Sequence, residues 1–338
     1  MIDHEALRRR AQELLADDVF AYYAAGAGAE VTLAREARAW DDVLLQPRVL
    51  RDVSRTTTVT QVLGHPLAAP VLVAPTAAQR LAHPSGEVGV ALAARGTGAL
   101  MVLSMRSSTP VEEVGAVGPF WQQLYVLRDR GITDEVARRA AAAGALALVV
   151  TVDTPQVASK RAGAPAVLPP LGIVPALDQR DVDDPRLRQA PDVGPHDLER
   201  LAELSGLPVV AKGVLSAQAA RDCVAAGAAA VVVSTHGGRQ LDGVVPSPVA
   251  LPQVVEAVGA RVEVYVDGGV RTGSHVLTAL ALGARAVLVG RPVLWALAAG
   301  GSHGVSALLA ELTEEVREAL VLAGCRSCAD VGPDLVRR

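Results

Sequence analysis

The chain has 338 residues, of which 50% are hydrophobic and 20% are charged, so it can bury a large core and is not a disordered chain. The formal net charge of −4 and the pI near 6.0 argue against a nucleic-acid-binding surface. The alanine-rich stretch 140–152 is too short to cross a bilayer, and the first residues lack a signal-peptide pattern, so we expect a cytoplasmic protein without membrane contact.

A short repeat organises most of the sequence. Segments that begin at Gly144, Gly227 and Gly283 share the pattern Gly-Ala-x-Ala followed by three apolar residues, and a looser copy begins at Gly98. In each copy an alanine-rich helical stretch ends at a glycine suited to a left-handed helix terminus. A wholly apolar segment follows, as expected for a strand buried on both faces. The repeat therefore predicts alternating helices and parallel strands.

Eight strands are predicted in chain order. They cover residues 71–74, 99–104, 120–126, 146–152, 208–212, 229–234, 262–267 and 286–290. Helical patterns separate most of them, for example 87–95, 133–143, 217–226 and 274–282. Eight alternating units favour a (β/α)8 TIM barrel. A doubly wound sheet is the alternative, but the turn at 74–77 is not the glycine-rich phosphate turn that such a fold would want.

We interpret residues 1–338 as one domain. Residues 1–70 are expected to form an N-terminal helical cap, residues 71–300 the barrel, and residues 303–338 a closing helix and tail. The connection 155–195, after the fourth barrel strand, is rich in proline and aspartate and is long for a βα loop. It is expected to be a lid over the site or to be partly disordered.

The three cysteines do not form a disulfide framework. Cys325 and Cys328 make a Cys-x-x-Cys pair, which could be redox-active, but the pair follows a helical segment and does not open a helix after a strand. We therefore favour two ordinary thiols, and we predict no metal site.

The segment 234–242 is the most informative motif, because it breaks a buried strand abruptly with polar and small residues. His236 can exchange a proton near neutral pH, and Arg239 offers a planar fork that fits a carboxylate. Asp153 lies nine residues after Gly144, as His236 does after Gly227. The repeats thus deliver both groups to the C-terminal face of the barrel, where TIM-barrel active sites lie. This predicts a catalytic pair.

Scarce residue types fall at the same barrel face. The chain has only two lysines, Lys160 and Lys212, and Lys212 ends the fifth predicted strand. A compact ammonium suits a position beside a reduced cofactor ring better than the wide fork of arginine. Two of the four tyrosines, Tyr22 and Tyr125, also fall at candidate site positions, although Tyr22 could be a packing aromatic of the cap.

Glycines and arginines follow the last two predicted strands. Gly268 and Gly269 precede Arg271, and Gly290 precedes Arg291. Backbone N–H groups approach an anion closely where no Cβ intrudes, and arginine neutralises it. TIM barrels often bind phosphate at this corner. These residues therefore predict a cradle for the phosphate of a cofactor.

These motifs resemble those of the FMN-dependent L-2-hydroxy acid oxidases and dehydrogenases, the family of glycolate oxidase, lactate oxidase and mandelate dehydrogenase. The similarity runs from about Tyr22 to Cys325 and keeps the family's order of motifs. The motifs are 22–26, 74–77, 83–87, 123–126, 151–155, 211–213, 234–242, 267–271 and 290–292.

The resemblance implies that the chain binds FMN and oxidises an L-2-hydroxy acid to the 2-oxo acid. His236 would be the base and Asp153 would stabilise its imidazolium, while Arg239 and Tyr22 would hold the substrate carboxylate and Tyr125 would contact the 2-hydroxyl oxygen. Lys212 would stabilise negative charge near flavin N1 and O2. The implied cofactor-binding residues are Pro75, Thr76, Ala77, Ser104, Gln123, Thr151, Lys212, Ser234, Asp267, Gly268, Gly269, Arg271, Gly290 and Arg291.

The resemblance also implies a homo-oligomer, commonly a tetramer. The electron acceptor, oxygen or another, stays open at this point, and so does the choice between hydride transfer and a carbanion route. Other FMN-barrel chemistry, such as an isomerase-like reaction, and a catalytically silent flavin-binding protein are the alternative functions.

The chain departs from the family pattern at three positions. Arg106 stands where many members carry an aromatic residue in the pocket wall; it could pair with a second acidic or polar group of the substrate, or point to solvent. Thr235 replaces the usual asparagine. Lys160 lies near the position of an arginine that can help to bind substrate in the family. The chemistry is expected to be retained, while the substrate need not be a common one.

Overall fold

The computed structural model describes residues 2–160 and 184–337. The strands are β1 (Thr60–Val62), β2 (His65–Leu67), β3 (Val71–Val73), β4 (Leu100–Leu103), β5 (Phe120–Leu124), β6 (Ala145–Thr151), β7 (Val209–Val214), β8 (Ala230–Val233), β9 (Glu263–Asp267) and β10 (Ala286–Val289). The helices are α1 (His4–Leu14), α2 (Asp17–Ala24), α3 (Val31–Asp41), α4 (Gly86–Thr97), α5 (Val111–Gly115), α6 (Arg130–Ala142), α7 (Pro195–Ser205), α8 (Ala217–Ala225), α9 (Ser247–Val258), α10 (Gly273–Ala281) and α11 (Arg291–Leu322).

Strands β3 to β10 form a closed parallel barrel in chain order, in which β10 pairs with β3. One helix, from α4 to α11, follows each of the eight strands. The predicted (β/α)8 barrel is therefore confirmed, and all eight predicted strands are present. The doubly wound alternative is wrong, because closure leaves the sheet without edges.

The repeat glycines end helices as predicted. Gly98, Gly144, Gly227 and Gly283 all have left-handed backbone conformations, with φ between 69° and 99°. A residue with a Cβ is strained there, so glycine lets the helix stop and the chain turn directly into the next strand. At the other end, side chains such as Ser216 before α8 accept hydrogen bonds from the first helical N–H groups.

The barrel has two apolar layers. Its interior contains alternate residues of the strands, including Trp121 and Tyr265, whose ring centroids lie 5.5 Å apart in an edge-to-face arrangement. The other face of each strand packs against the surrounding helices. Burial on both faces explains why the strands are continuous apolar runs and do not alternate.

The segment before the barrel was predicted as a helical cap. It contains helices, but it also contains two strands. Strands β1 and β2 form an antiparallel hairpin, and Val62 and Leu67 join the apolar cluster of the barrel interior. The hairpin thus covers one end of the barrel. Its two turn residues, Leu63 and Gly64, have φ of 45° and 79°, the left-handed geometry that suits a tight hairpin. Three-residue strands carry too little alternation for the sequence pattern to show them.

Helix α3 ties the N-terminal segment to the motif that contains His236. The Asp242 carboxylate accepts hydrogen bonds from the backbone N–H groups of Ala29, Val31 and Thr32 at the start of α3. These bonds, chiefly that from Thr32, lower the pKa of Asp242. Trp40, near the end of α3, donates from Nε1 to the carbonyl of Gly268 at 2.7 Å. Helix α3 is therefore fixed against two loops at one face of the barrel.

Part of the predicted lid 155–195, namely residues 161–183, lies outside the described residues. The part that is described is anchored to the loop after β5. Arg128 donates from its backbone to the carbonyl of Arg188, and Ala190 donates to that of Val126, both at 2.8 Å.

Helix α11 is, within the described ranges, the one helix long and apolar enough to cross a membrane by length and composition. From the sequence alone, only the alanine-rich stretch 140–152 was considered for a membrane span, and it is shorter than this helix. Non-helical backbone at Gly300 and Gly301 divides it, and it packs against α1, α4 and α10. Packing on the barrel thus accounts for much of its apolar surface.

The Leu67→Ala substitution tests the role of the hairpin. It should lower the free energy of unfolding by about 2–5 kcal/mol, because it removes a fully buried side chain and leaves a cavity at the barrel end. Leu322→Ala is the control, since that side chain is 70% exposed and its loss should change stability by no more than about 0.5 kcal/mol. Urea denaturation measures both values; equal effects would show that the hairpin does not close the core.

Candidate active site

A cleft opens at the C-terminal ends of the barrel strands and encloses about 990 Å³ of empty space, part of it open to solvent. All of the predicted site residues line it except Asp153, Ser234 and Arg106. The predicted residues that line the cleft are Tyr22, Pro75, Thr76, Ala77, Ser104, Gln123, Tyr125, Thr151, Lys212, His236, Arg239, Asp267, Gly268, Gly269, Arg271, Gly290 and Arg291. Asp153 and Ser234 lie directly behind it, bonded to residues that face it, and Arg106 lines a neighbouring cavity.

His236 and Asp153 form the pair that the repeat predicts. His236 Nδ1 lies 3.0 Å and 3.3 Å from the two carboxylate oxygens of Asp153. Burial raises the pKa of Asp153, but the charge and hydrogen bond of His236, helped by Lys212, lower it overall, so the carboxylate is ionised. An ionised carboxylate only accepts hydrogen bonds, so Nδ1 carries the hydrogen and Nε2 is left as the basic atom.

The backbone around this pair is unusually constrained. His236 itself has a left-handed φ of 56°, which is uncommon for a residue other than glycine, and Gly237 and Gly238 continue the left-handed run. This sharp turn after β8 brings the imidazole to the cleft. On β7, a Cβ added to Gly213 would lie 2.5 Å from the Cβ of Asp153. Glycine at 213 therefore leaves the space in which Asp153 reaches His236.

Arg239 and the two tyrosines form a cationic pocket beside His236. Arg239 Nη1 donates to the carbonyls of Tyr22 and Ala25, both at 2.8 Å, and its Cζ lies 5.1 Å from the centroid of the Tyr22 ring. Nη1 is thus anchored, while Nε and Nη2 have no hydrogen-bond partner in the part of the chain that the structure describes and keep donors for a ligand. Burial raises the pKa of Tyr22 and of Tyr125, so both hydroxyls stay protonated and can donate. The Tyr125 ring is nearly parallel to the His236 ring, and the two ring centroids lie 6.5 Å apart.

Lys212 is buried at the floor of the cleft. Its Nζ lies 2.8 Å from Asp267 Oδ2 and donates to Ser234 Oγ at 2.8 Å. The other carboxylate oxygen, Asp267 Oδ1, is buried and has no hydrogen-bond partner among the described residues. A buried orphan acceptor is costly unless a donor reaches it. Asp267 is therefore suited to a hydroxyl group of a bound molecule.

Side-chain amides and hydroxyls fix the remaining wall. Gln123 accepts from the backbone N–H of Met105 at 3.1 Å and donates to Thr151 Oγ1 at 3.0 Å, which sets the orientation of its amide. The Thr76 hydroxyl accepts from Gln79 Nε2 at 2.9 Å. These bonds fix a polar wall beside the first, third and fourth strands of the barrel.

Two further arginines line the cleft without an ion pair to any described residue. Arg291 donates to the carbonyls of Tyr23, Ala25 and Gly237, and Arg271 donates to that of Val270. Burial lowers the pKa of both, and the like charges of Arg239 and Arg271 lower that of Arg291 further. A bound dianion would relieve this repulsion.

The donor set fits FMN. Arg271 and Arg291, which follow glycine turns, suit a phosphate. The orphan acceptor of Asp267 suits a ribityl hydroxyl, and Lys212 with the Gln123 wall suits a polar ring system. Arg271, Arg291, Gly269 and Gly290 would hold the phosphate, and Asp267 the ribityl chain.

Sequence reasoning missed several residues of the site. Tyr23, Val270 and Leu294 line the cleft, and the Tyr23 hydroxyl donates to the carbonyl of Ala78 at 2.7 Å. Tyr23 sits next to a predicted residue, and scarcity of tyrosine was the signal that could have found it. Val270 and Leu294 have no such signal, since they look like any core residue.

The Cys-x-x-Cys pair does not join the site. Cys325 and Cys328 are free thiols, and burial raises the pKa of both, to about 11 for Cys328. A raised thiol pKa disfavours the reactive thiolate, which agrees with two ordinary thiols.

The fold and the site define an FMN-binding (β/α)8 oxidoreductase, and comparison with known proteins identifies its family. The FMN-dependent dehydrogenase family matches residues 11–338. The chain is 43% identical to L-lactate oxidase from a Nostoc species, over 94% of this chain and 93% of that protein. It is 44% identical to 4-hydroxymandelate oxidase from Amycolatopsis orientalis, over 95% and 94%. A crystal structure of mandelate oxidase with (S)-4-hydroxymandelic acid has a TM-score of 0.92 at 41% identity and covers 100% of this chain and 98% of that one.

The chain therefore belongs to the FMN-dependent dehydrogenase family. It is an FMN-dependent enzyme that oxidises a 2-hydroxy acid, as the resemblance implied. The relatives named above are all oxidases of 2-hydroxy acids by their names, and none supports the isomerase-like alternative.

The Arg271→Gln substitution tests the phosphate cradle. The affinity for FMN should fall about 10- to 100-fold, the range expected when one charged hydrogen bond is lost. The affinity for riboflavin, which has no phosphate, should change far less. Titration of the flavin-free protein, followed by quenching of flavin fluorescence, measures both. Equal losses for the two flavins would place the phosphate elsewhere.

Proposed function

We propose that His236 is the base of the reaction and that Arg239, Tyr22 and Tyr125 bind the substrate, an L-2-hydroxy acid. The observation that carries the proposal is the 3.0 Å contact between His236 and an ionised Asp153, at a cleft that also presents the donors of Arg239. A base beside a carboxylate clamp is what the oxidation of a 2-hydroxy acid requires of the protein.

The residues divide the work as follows. FMN, when bound, supplies the two-electron acceptor. Arg239 binds the substrate carboxylate through its free guanidinium donors, with the Tyr22 hydroxyl beside it. His236 Nε2 takes the substrate's proton, and Asp153 stabilises the imidazolium through Nδ1, which also keeps the ring in one orientation.

Two further groups stabilise charge. The Tyr125 hydroxyl, protonated at neutral pH, donates to the 2-oxygen of the substrate. Lys212 places a positive charge at the floor of the cleft, held by Asp267 and Ser234. Such fixed charges and dipoles need no reorganisation during the reaction, which is the main source of electrostatic catalysis.

We also propose that oxygen is the electron acceptor, because the relatives with 43% and 44% identity carry the name oxidase. The homo-oligomer and the cytoplasmic location that the sequence suggests are proposals as well. Exposed apolar side chains support the first of them, since Leu44, Val49 and Leu50 are 60%, 77% and 101% exposed.

The His236→Asn substitution tests the base. It should slow anaerobic flavin reduction by substrate about 100- to 10,000-fold, the usual contribution of a general base, while FMN stays bound. Rapid-mixing absorbance measurements give the rate, and the visible spectrum gives the FMN content. His196→Asn is the control, because His196 is an exposed histidine on α7 outside the cleft. A normal rate in the His236 variant would remove its assignment.

Lys160 gives a prediction on pH. Its Nζ donates to the carbonyl of Arg239, and burial together with the charges of Arg239 and Arg291 lowers its pKa to about 8. Below pH 8 Lys160 is charged and attracts the substrate carboxylate; above pH 8 the charge is lost. The kcat/KM of the wild type should therefore fall roughly three- to tenfold from pH 7 to pH 9.5, relative to Lys160→Arg, which stays protonated. Parallel pH profiles would show that Lys160 does not contact the substrate.

A further inference from the structure

A second cavity, the outer pocket, is continuous with the cleft. Tyr22, Tyr125, His236 and Arg239 line both. Its other walls come from the loops after β4, β5, β6 and β8 and from the described residues 187–191. A substrate held by Arg239 and His236 would extend its side chain into this space.

The charge of the outer pocket is strongly one-sided. Besides Arg239, its lining includes Arg106, Arg128, Lys160 and Arg188, and no Asp or Glu is among the lining residues that the structure describes. Arg106, Arg128 and Arg188 form no ion pair with a described residue. Cations that line a cleft raise the local concentration of anions. These five positive side chains are more than are needed to bind a single substrate carboxylate.

Arg106 lines the outer pocket beside Tyr125, one of the residues proposed to bind the substrate. Its Cζ is 5.9 Å from the centroid of the Tyr125 ring, and its charge lowers the pKa of both Tyr22 and Tyr125 against the larger effect of their burial. It is half-buried, and its Nη2 donates to the carbonyl of Leu187 at 3.2 Å. Among the described residues only this nitrogen of the guanidinium has a hydrogen-bond partner, so the other nitrogens can bind an anion.

The wall that carries the arginines is fixed by the backbone. Arg128 donates from its N–H to the carbonyl of Arg188 at 2.8 Å, and Ala190 donates to that of Val126 at 2.8 Å. Leu127 and Gln189 form a β-bridge at the same place. Main-chain bonds thus hold the backbones of two exposed arginines beside each other, and both side chains line the outer pocket.

We propose that the outer pocket is a second-anion subsite and that the enzyme's substrate class is 2-hydroxy dicarboxylates. Arg239 binds the carboxylate next to the hydroxyl-bearing carbon, and Arg106 binds the carboxylate at the other end of the side chain. Arg128 and Arg188 attract the dianion at the mouth. This assignment rests on the proposed role of Arg239 and His236.

The test compares two substrates that differ in one charge, (S)-2-hydroxyglutarate and its 5-amide. The second-order rate of anaerobic flavin bleaching is measured with the wild-type holoenzyme, so the identity of the electron acceptor does not enter. The dicarboxylate should react at least about tenfold faster than the amide, the gain expected from one charge-assisted hydrogen bond. A preference for the amide, or for lactate or mandelate over the dicarboxylate, would overturn the subsite.

Variants locate the effect. Arg106→Gln should reduce the ratio of the dicarboxylate rate to the amide rate about tenfold or more, towards one, and Arg106→Lys should restore part of it. Arg186→Gln is the matched control, because Arg186 is paired with Asp184 close to the pocket but does not line it, so the ratio should stay as in the wild type. FMN content and melting temperature confirm that each variant is folded.

Each outcome is decisive. A ratio that is unchanged in Arg106→Gln, with both rates lowered equally, makes Arg106 part of the architecture and overturns the subsite, while oxidation of both substrates keeps the proposed function. Bleaching by no 2-hydroxy acid at all would contradict the proposed function first and the subsite with it.

Discussion

The hydrogen bond between Asp153 and His236 organises the site. The two residues follow β6 and β8, which lie on either side of β7 in the barrel, and their side chains meet at 3.0 Å. Gly213, on the strand between them, leaves room for the carboxylate. The left-handed turn at His236 completes the approach. The tautomer and the orientation of the His236 ring follow from this contact.

Around that pair the protein concentrates positive charge. Lys212, Arg271 and Arg291 lie along the cleft, with Arg239 between it and the outer pocket, although the chain as a whole carries −4. Burial lowers the pKa of Arg291 and of Lys160, and the repulsion of neighbouring arginines lowers both further. Anionic ligands remove it. The same electrostatic condition thus selects a cofactor with a phosphate and a substrate with a carboxylate.

The sequence predicted the barrel well because its repeat is local: a glycine that ends a helix and the apolar run that follows lie within a few residues of each other. The site followed from it, since parallel strands deliver their C-terminal ends to one face. The hairpin β1–β2 was missed because three-residue strands have no readable period. The arginine pair at 128 and 188 was missed because backbone pairing between distant segments brings it together, and nothing in either segment shows this.

The central claim is that this site oxidises L-2-hydroxy acids with FMN. The most direct measurement is the visible spectrum of the purified protein, recorded without oxygen as L- and D-2-hydroxy acids are added in turn. The account predicts a flavin absorption band that bleaches with an L-acid and stays unchanged with its D-enantiomer. A flavin band that no L-2-hydroxy acid bleaches would contradict it.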